Sequence, residues 1–474
     1  MNVFLKSFSK TSIGSISSMA FGAVVIKIIA TFSGPQGVGV FSILKDLSQT
    51  LALAFSLSGN TAIVKNLSTN DNKNKELFIH NIVKIIIINT TFMCLIYFFF
   101  IKYIYTHLLG NLDAISIYTL LIVLISGIAG SLNIICNSIL NANRKLGWMA
   151  ISQIIATLIG AIITYPFISL IPTMYSFALI LVIINVTWLI VNLFILHKQE
   201  IKINWLKSVF TKIETQSVYR FSSLAGATFI TSMAGMATML TTRLFIEKKL
   251  GIETLGIFDA AWTLGAVYIM FLLTSFGTYV LPVLSSMHAR KKRDEFLGNI
   301  IIVTSSIFTL LVITMLTFNE YLILLFYSEK FLTSSEMLKY LLLGDFFKVI
   351  GYTYGIFFLS HNRPWTFVFI SLSWNIIFLS ILYLGIDQYG ILIAPYASIA
   401  AHMIYLIMVL VICRTNSLTN ISPRVLVWLF PMFAIIISTS FIPDGYSIYI
   451  YPFSMVVGLL IAYYLLFKKN LFLG

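Results

Sequence analysis

Residues 175–196 read YSFALILVIINVTWLIVNLFIL, and this stretch decides the class of fold. It holds no charged side chain over the roughly 20 residues that an α-helix needs to cross the hydrocarbon core of a bilayer. Comparable segments recur along the whole chain, of which 59% is hydrophobic and 10% charged. Soluble proteins carry about 25% charged residues. Because backbone groups in lipid must be hydrogen-bonded internally, the sequence predicts an all-α, polytopic membrane protein.

The apolar segments divide the chain into about 14 predicted transmembrane helices. Charged or turn-forming residues separate them. The predicted spans are residues 9–32, 38–63, 82–105, 116–140, 147–169, 175–196, 221–245, 255–284, 300–326, 337–360, 366–386, 390–413, 425–442 and 447–467.

The basic residues of the loops predict the orientation of these spans. Loops on one side carry most of the 31 Lys and Arg residues, including the run at 290–293. The loops on the other side carry only Lys102, Lys248, Lys249, Lys330 and Lys339. Loops rich in Lys and Arg stay in the cytoplasm, so we expect both termini there. This alternation also accounts for the net charge of +14 without a nucleic-acid partner, because no basic domain exists to hold a duplex.

A short repeat indicates a duplicated architecture. VGVF at residues 38–41 opens the second predicted span, and LGIF at residues 255–258 opens the eighth. A cation precedes each motif at a similar distance, Lys27 in the first case and Arg243 in the second. Chance similarity between apolar segments is the rival explanation. Six spans per repeat give copies of like orientation, so we predict two six-helix lobes around a central cavity plus two extra C-terminal helices.

Four predicted regions follow from this division. They are the N-terminal lobe, 1–196; a cytoplasmic linker, 197–220; the C-terminal lobe, 221–413; and the two extra helices, 414–474. The apolar residues of the linker, from Trp205 to Ile213, recur at helical spacing. This spacing indicates an amphipathic helix on the inner leaflet, or else an ordinary solvated connector.

Ionisable residues inside the predicted spans are the candidates for function. A charge at the bilayer centre costs about 2.5–3.5 kcal/mol on insertion scales, so several in one protein indicate a wet interior lined by protein. Four of the seven charged candidates are cations, which suits an anionic ligand. The seven are Lys27, Lys45, Asp46, Arg243, Asp259, Asp345 and Lys348, and His402 is a further polar candidate.

Structural roles compete for each of these residues. Lys27 and Arg243 lie near predicted helix ends and could extend their charged groups into the interface. Asp345 and Lys348 are spaced to neutralise each other on one helix face. Asp259 lies close to the outer interface, where it could simply be hydrated. The histidine could be a hydrogen-bonded core residue rather than a proton carrier.

The chain lacks the motifs of common catalytic and metal sites. No Walker-type loop, HExxH, CxxC or GxSxG occurs. We therefore predict a transporter, not an enzyme, with no catalytic residues, metal site or cofactor. Its energy would come from an ion gradient or from the concentration gradient of its substrate.

Three segments resemble one known family. IKIIA at 26–30, followed by GPQGVG at 34–39, is similar to the first span and turn of Wzx-type flippases for lipid-linked polysaccharide repeat units. LGIF at 255–258 with VLPVL at 280–284 resembles the eighth span of that family. LGDFFKV at 343–349 resembles its tenth.

The resemblance implies a place in the multidrug/oligosaccharidyl-lipid/polysaccharide exporter superfamily. It also implies transport of undecaprenyl-pyrophosphate-linked oligosaccharide across the bacterial inner membrane. The expected phosphate contacts are Lys27, Lys45, Arg243 and Lys348, because charge-assisted contacts could offset the dehydration of a pyrophosphate. The residues expected to balance charge or to couple transport to ions are Asp46, Asp259, Asp345 and His402. The expected partners are membrane lipids, a polysaccharide polymerase and a chain-length regulator.

Three other functions remain open from the sequence. A multidrug antiporter of the same superfamily would favour an acidic cavity for cationic drugs. A lipid II flippase would differ in its recognition of the sugar. A polysaccharide polymerase or ligase would need a sizeable periplasmic catalytic loop, and the outer loops here are short.

Overall fold

The structure is a computed structural model, and it describes residues 2–69, 72–108, 116–171, 174–201, 215–275, 280, 283–284, 287, 289–360, 363–415 and 422–440. Every regular element within these ranges is a helix. In chain order the α-helices are α1 (Asn2–Phe55), α2 (Asn60–Thr69), α3 (Asn72–Tyr103), α4 (Ile117–Ala142), α5 (Leu146–Leu170), α6 (Tyr175–Lys198), α7 (Thr215–Leu250), α8 (Ile252–Ser275), α9 (Arg290–Thr317), α10 (Asn319–Phe326), α11 (Ser334–Ser360), α12 (Pro364–Tyr389), α13 (Ile393–Thr415) and α14 (Pro423–Ser440).

Ten helical segments within the described ranges are long and apolar enough to cross a membrane. Pro364–Thr415 covers two of the predicted spans, and Ser17–Phe55 overlaps two others, 9–32 and 38–63, without reaching their outer ends. The prediction of an all-α, polytopic membrane protein is confirmed. The total of about 14 spans stays a prediction, because the last predicted span, 447–467, lies outside the described residues.

Helix α1 contains one kink and ends earlier than the sequence predicts. Gly34 adopts φ 62° and ψ −161° inside the helix, directly before Pro35. Glycine tolerates this left-handed region because it has no Cβ atom, and proline cannot continue the preceding hydrogen-bond ladder. The predicted second span runs on to residue 63, but Leu57 and Ser58 also have positive φ angles. The helix therefore stops at Phe55, and α2 begins at Asn60.

The chain divides into two compact units, Met1–Gly256 and Ile257–Gly474, and the boundary falls within α8. In the first unit, α1 packs against α4, α5 and α7, and α4 packs against α6. Phe78 of α3, Ile139 of α4 and Phe221 of α7 belong to one buried apolar cluster of this unit. The predicted lobe boundaries remain predictions, and residues 202–214 of the predicted linker lie outside the described residues.

Helices α1 and α8 approach each other closely where the repeated motifs lie. A Cβ atom on Gly39 would lie 2.6 Å from the carbonyl oxygen of Ile252 and 3.2 Å from the backbone nitrogen of Gly256. A Cβ atom on Gly256 would overlap the backbone of Pro35. The two motif glycines of the predicted repeat therefore allow backbone-to-backbone packing within the first unit.

The second unit is built around α11 and α13, which pack along each other. Helix α12 packs against α13, and α9 packs against α14. The indole of Trp428 on α14 donates a hydrogen bond to the hydroxyl of Ser306 on α9, at 2.9 Å. The helices that pack around α11 bury its middle, which carries two of the predicted charged residues, Asp345 and Lys348.

Candidate functional site

The first unit contains an ion pair between two transmembrane helices. The guanidinium group of Arg243 on α7 donates a hydrogen bond to the carboxylate of Asp46 on α1. Both side chains are only 8% exposed. Because a charge without a counter-charge is costly at this depth, the pair fixes α7 against the second half of α1. Two candidates from separate predicted lobes are thus brought together.

Lys45 precedes the buried aspartate in the chain but lies on a different face of the helix. Successive residues of an α-helix point about 100° apart, and Lys45 is half-buried where Asp46 is buried. Lys45 forms no ion pair with any residue in the described ranges. Its positive charge is therefore available to an anionic ligand beside the Asp46–Arg243 pair.

Lys27 lies on the first half of α1, before the kink. It is half-buried, and the hydroxyl of Thr31 donates to its backbone carbonyl at 2.8 Å. Lys27 and Lys45 stand on opposite sides of Gly34, so the bend of α1 sets the angle between them. The first unit therefore holds three of the four predicted phosphate contacts.

A chain of neutral polar side chains crosses the same unit, and the sequence reasoning missed it. The hydroxyls of Ser48 on α1 and Ser126 on α4 lie 2.8 Å apart. The amide of Asn185 on α6 donates to Ser126 at 2.9 Å. Asn133 donates to the backbone of Asn185 at 2.8 Å and accepts from Asn192 at 2.9 Å. These groups are uncharged, so a search for ionisable residues passes over them.

The second unit holds an acid–base pair within one helix. The Nζ atom of Lys348 lies 3.5 Å from the Oδ1 atom of Asp345, and both residues belong to α11. The aspartate side chain is 10% exposed and the lysine side chain 32% exposed. Because the lysine reaches a more open environment than its partner, its ammonium group could contact a ligand while still offsetting the buried carboxylate.

His402 on α13 lies near this pair. Its Nδ1 atom is 2.9 Å from the backbone carbonyl of Ser398 and 3.2 Å from the hydroxyl of the same residue. The imidazole ring packs on the indole of Trp374, with centroids 5.0 Å apart. Lys348 is close enough to His402 to interact with it electrostatically. The predicted residues Asp345, Lys348 and His402 thus form one cluster.

Asp259 lies on α8, in the second turn of the helix. The residue is 6% exposed, and the hydroxyl of Thr263, one turn later, donates to its carboxylate at 3.5 Å. Tyr327 is also close enough to interact with Asp259 electrostatically. Burial of this carboxylate differs from the hydrated interface position that the sequence left open.

The sequence is similar to a known family and to a known flippase. A family model described as polysaccharide biosynthesis protein matches residues 4–288. A lipid III flippase of Escherichia coli (strain K12) is 22% identical over 409 residues, which cover 83% of this chain and 94% of that protein.

Solved structures show the same fold. The lipid II flippase MurJ in an inward closed conformation has a TM-score of 0.70 at 17% identity, over 97% of this chain and 99% of that one. An inward-facing multidrug resistance transporter of the MATE family, in the MOP superfamily, has a TM-score of 0.68 at 13% identity, over 89% and 98%. The chain therefore has the fold of MOP superfamily transporters.

Proposed function

Because the chain belongs to the polysaccharide biosynthesis protein family, we propose that it is a flippase for undecaprenyl-pyrophosphate-linked oligosaccharide. It would carry the repeat units of a surface polysaccharide such as O-antigen from the cytoplasmic to the periplasmic leaflet of a bacterial inner membrane. It moves the lipid without making or breaking covalent bonds. The relative named as a lipid III flippase and the structure named as the lipid II flippase MurJ support this class of substrate.

The single observation that carries the proposal is the cation excess on α1 and α7. Lys45 and the Asp46–Arg243 pair place two positive groups and one negative group in membrane-spanning helices. A sugar-pyrophosphate headgroup cannot cross hydrocarbon unaided, because its polar groups would lose their hydrogen bonds to water. Charge-assisted hydrogen bonds from lysine and arginine replace that hydration.

The proposed cycle is alternating access between two lobes, residues 1–196 and 221–413, with both termini in the cytoplasm. Lys27, Lys45, Arg243 and Lys348 hold the pyrophosphate. Asp46, Asp259, Asp345 and His402 balance those charges, and a change in their protonation would couple transport to an ion gradient. The prenyl tail stays in the bilayer while the headgroup crosses.

Lipid II is the second candidate substrate, and one observation favours it. The MurJ structure, which is named as a lipid II flippase, aligns with 97% of this chain. Complementation separates the two: a lipid II flippase supports growth of cells depleted of their own, whereas a repeat-unit flippase restores only surface polysaccharide. A multidrug antiporter is disfavoured, because the cation excess on α1 and α7 would repel cationic drugs.

Substitution of Lys45 tests the proposal. In cells that depend on this protein, Lys45→Ala should reduce surface polysaccharide roughly 10- to 100-fold, the worth of one hydrogen bond to a charged group. Lipid-linked oligosaccharide should accumulate in the inner membrane at the same time. Lys45→Arg, which keeps the charge, should retain most of the display.

Lys102→Ala is the matched control, because Lys102 is an exposed residue in the last turn of α3. It should leave display unchanged. Normal display by Lys45→Ala, at wild-type protein levels in the membrane, would contradict the proposed role of this lysine.

A further inference from the structure

A half-open cavity of about 290 Å³ lies in the first unit and is lined by residues of α2, α4, α5 and α6. Four carboxamides and one indole are prominent in its wall. They belong to Asn60, Asn137, Asn141, Gln153 and Trp188. None of the described lining residues is ionisable. This cavity, the amide cavity hereafter, therefore differs from the charged positions described above.

The polar groups of the amide cavity are arranged for a ligand with hydroxyl groups. The amide oxygen of Asn137 is buried and accepts no hydrogen bond from the described part of the chain. A buried polar atom in this state is costly unless a water or a ligand pairs with it. Each carboxamide offers two donors and one acceptor oxygen, which matches hydroxyl groups that both donate and accept.

The indole supplies the apolar surface that such a ligand also needs. The Nε1 atom of Trp188 donates to the hydroxyl of Ser152 at 3.1 Å, which fixes the ring. The hydroxyl of Ser138 on α4 donates to the amide oxygen of Asn60 on α2 at 2.7 Å, which fixes that carboxamide. An aromatic surface beside several amides suits a sugar, which has an apolar C–H face and polar edges.

The size of the cavity limits the ligand. Ligand pockets typically measure roughly 300–1,000 Å³, so this one suits a single small unit rather than a whole oligosaccharide. Asn60 is exposed, which gives the cavity access to its surroundings. The space also exceeds the roughly 30 Å³ share of one water many times over.

The cavity lies beside the turn that joins α4 to α5. The residues that α4 contributes to the cavity lie within the last three helical turns of α4. Arg144 and Lys145 follow in the connection to α5. The positive-inside rule assigns this turn to the cytoplasmic side, where a lipid-linked oligosaccharide is loaded. From Lys45, α1 continues for roughly 15 Å to Phe55, and a four-residue turn then leads to Asn60.

We propose that the amide cavity binds one sugar of the lipid-linked headgroup on the loading side, while the cations of α1 and α7 hold its pyrophosphate. This inference rests on the proposed function and adds the part of the protein that senses the carbohydrate. Within the described part of the lining, a bare phosphate would find no cation and a cationic drug no carboxylate. The amides would also disfavour a prenyl chain.

Two lipids separate the sugar from the pyrophosphate. The first is lipid-linked oligosaccharide extracted from cells that lack this protein, and the second is undecaprenyl pyrophosphate. Binding of each to the full-length protein is measured in nanodiscs. The wild type should bind the sugar-bearing lipid at least about tenfold more tightly, as expected for two or more net hydrogen bonds.

Variants of the cavity should remove that difference and nothing else. Asn137→Leu and Gln153→Leu should bind both lipids with the affinity of the bare one. Ala150→Phe, which fills the cavity without removing an amide, should do the same and covers the case in which an amide variant misfolds. Gln199→Leu makes the same exchange outside the lining and should behave as the wild type.

Each outcome has a distinct meaning. Equal affinities of the wild type for the two lipids, or a difference that survives in the folded cavity variants, would overturn the sugar site and leave the flippase proposal standing. Binding of neither lipid would overturn the proposed function and the sugar site with it.

Discussion

Two acid–base pairs of this protein differ in what they connect. Asp46 and Arg243 are 197 residues apart in the chain, join α1 to α7, and are both buried. Asp345 and Lys348 occupy one turn of α11, 3.5 Å apart, and the lysine is 32% exposed. The first pair can form only when the helices pack, whereas the second forms wherever α11 is helical.

The contrast shows that an ion pair inside a membrane can either join two helices or offset a charge within one helix. A pair between helices holds two elements in one arrangement and is lost when they separate. A pair within one helix lowers the cost of a buried carboxylate but carries no information about its neighbours. We therefore infer that Asp46–Arg243 is sensitive to conformational change in the first unit, and that Asp345–Lys348 is not.

The largest expected effect comes from Asp46→Asn. This change removes the carboxylate partner of a buried guanidinium, and breaking a buried pair from one side typically costs about 3–5 kcal/mol. The unfolding temperature of the purified protein in detergent, followed by size-exclusion chromatography after heating, should fall markedly.

The double variant Asp46→Leu with Arg243→Met is the control for that prediction. Replacing both charges with apolar groups is often neutral for stability, so the unfolding temperature should return toward that of the wild type. Surface polysaccharide should stay low, because the arginine is also a proposed phosphate contact. A double variant no more stable than the single one would argue against a direct pair.

A smaller effect is expected where α1 approaches α8. Gly256→Ala places a Cβ atom against the backbone of Pro35, and overpacking of this kind costs about 1–3 kcal/mol. Gly22→Ala is the matched change in a helix, because a Cβ atom there would meet nothing within 4 Å. It should stabilise the protein by up to about 1 kcal/mol, the difference in helix propensity. Equal unfolding temperatures for the two variants would contradict the close approach of α1 and α8.

Much of the fold could be predicted because apolar length and flanking charge set the ends of a span. The predicted span 147–169 is observed as α5 (Leu146–Leu170), and 175–196 as α6 (Tyr175–Lys198). The end of α1 at Phe55 could not be predicted in this way. Leu57 and Ser58 take positive φ angles. The stretch SLSGN at residues 56–60 carries a turn signal in Gly59 and Asn60, which the length of the apolar run outweighed.

Within the candidate site, only contacts between residues close in the sequence could be predicted. The separation of Asp345 and Lys348 by three residues suggests their contact, whereas nothing local to Arg243 identifies Asp46 as its partner. The amides left a readable signal, because Asn133, Asn137 and Asn141 recur every fourth residue on α4 and so share one face. They carry no charge, and reasoning restricted to ionisable residues missed them.

The smallest effect on stability is expected from Asp345→Asn, the same exchange as Asp46→Asn made in the other pair. It leaves Lys348 without its helix partner, but a lysine that is 32% exposed can move its ammonium group toward a wetter environment. Pairs at this spacing contribute about 0.2–0.5 kcal/mol, so the unfolding temperature should change little. Arg290→Ala, which removes the more open pair with Asp294 at 3.9 Å, sets the scale for a local pair. A loss of stability as large as that of Asp46→Asn would show that Asp345 holds α11 against another helix, and the distinction between the two pairs would fail.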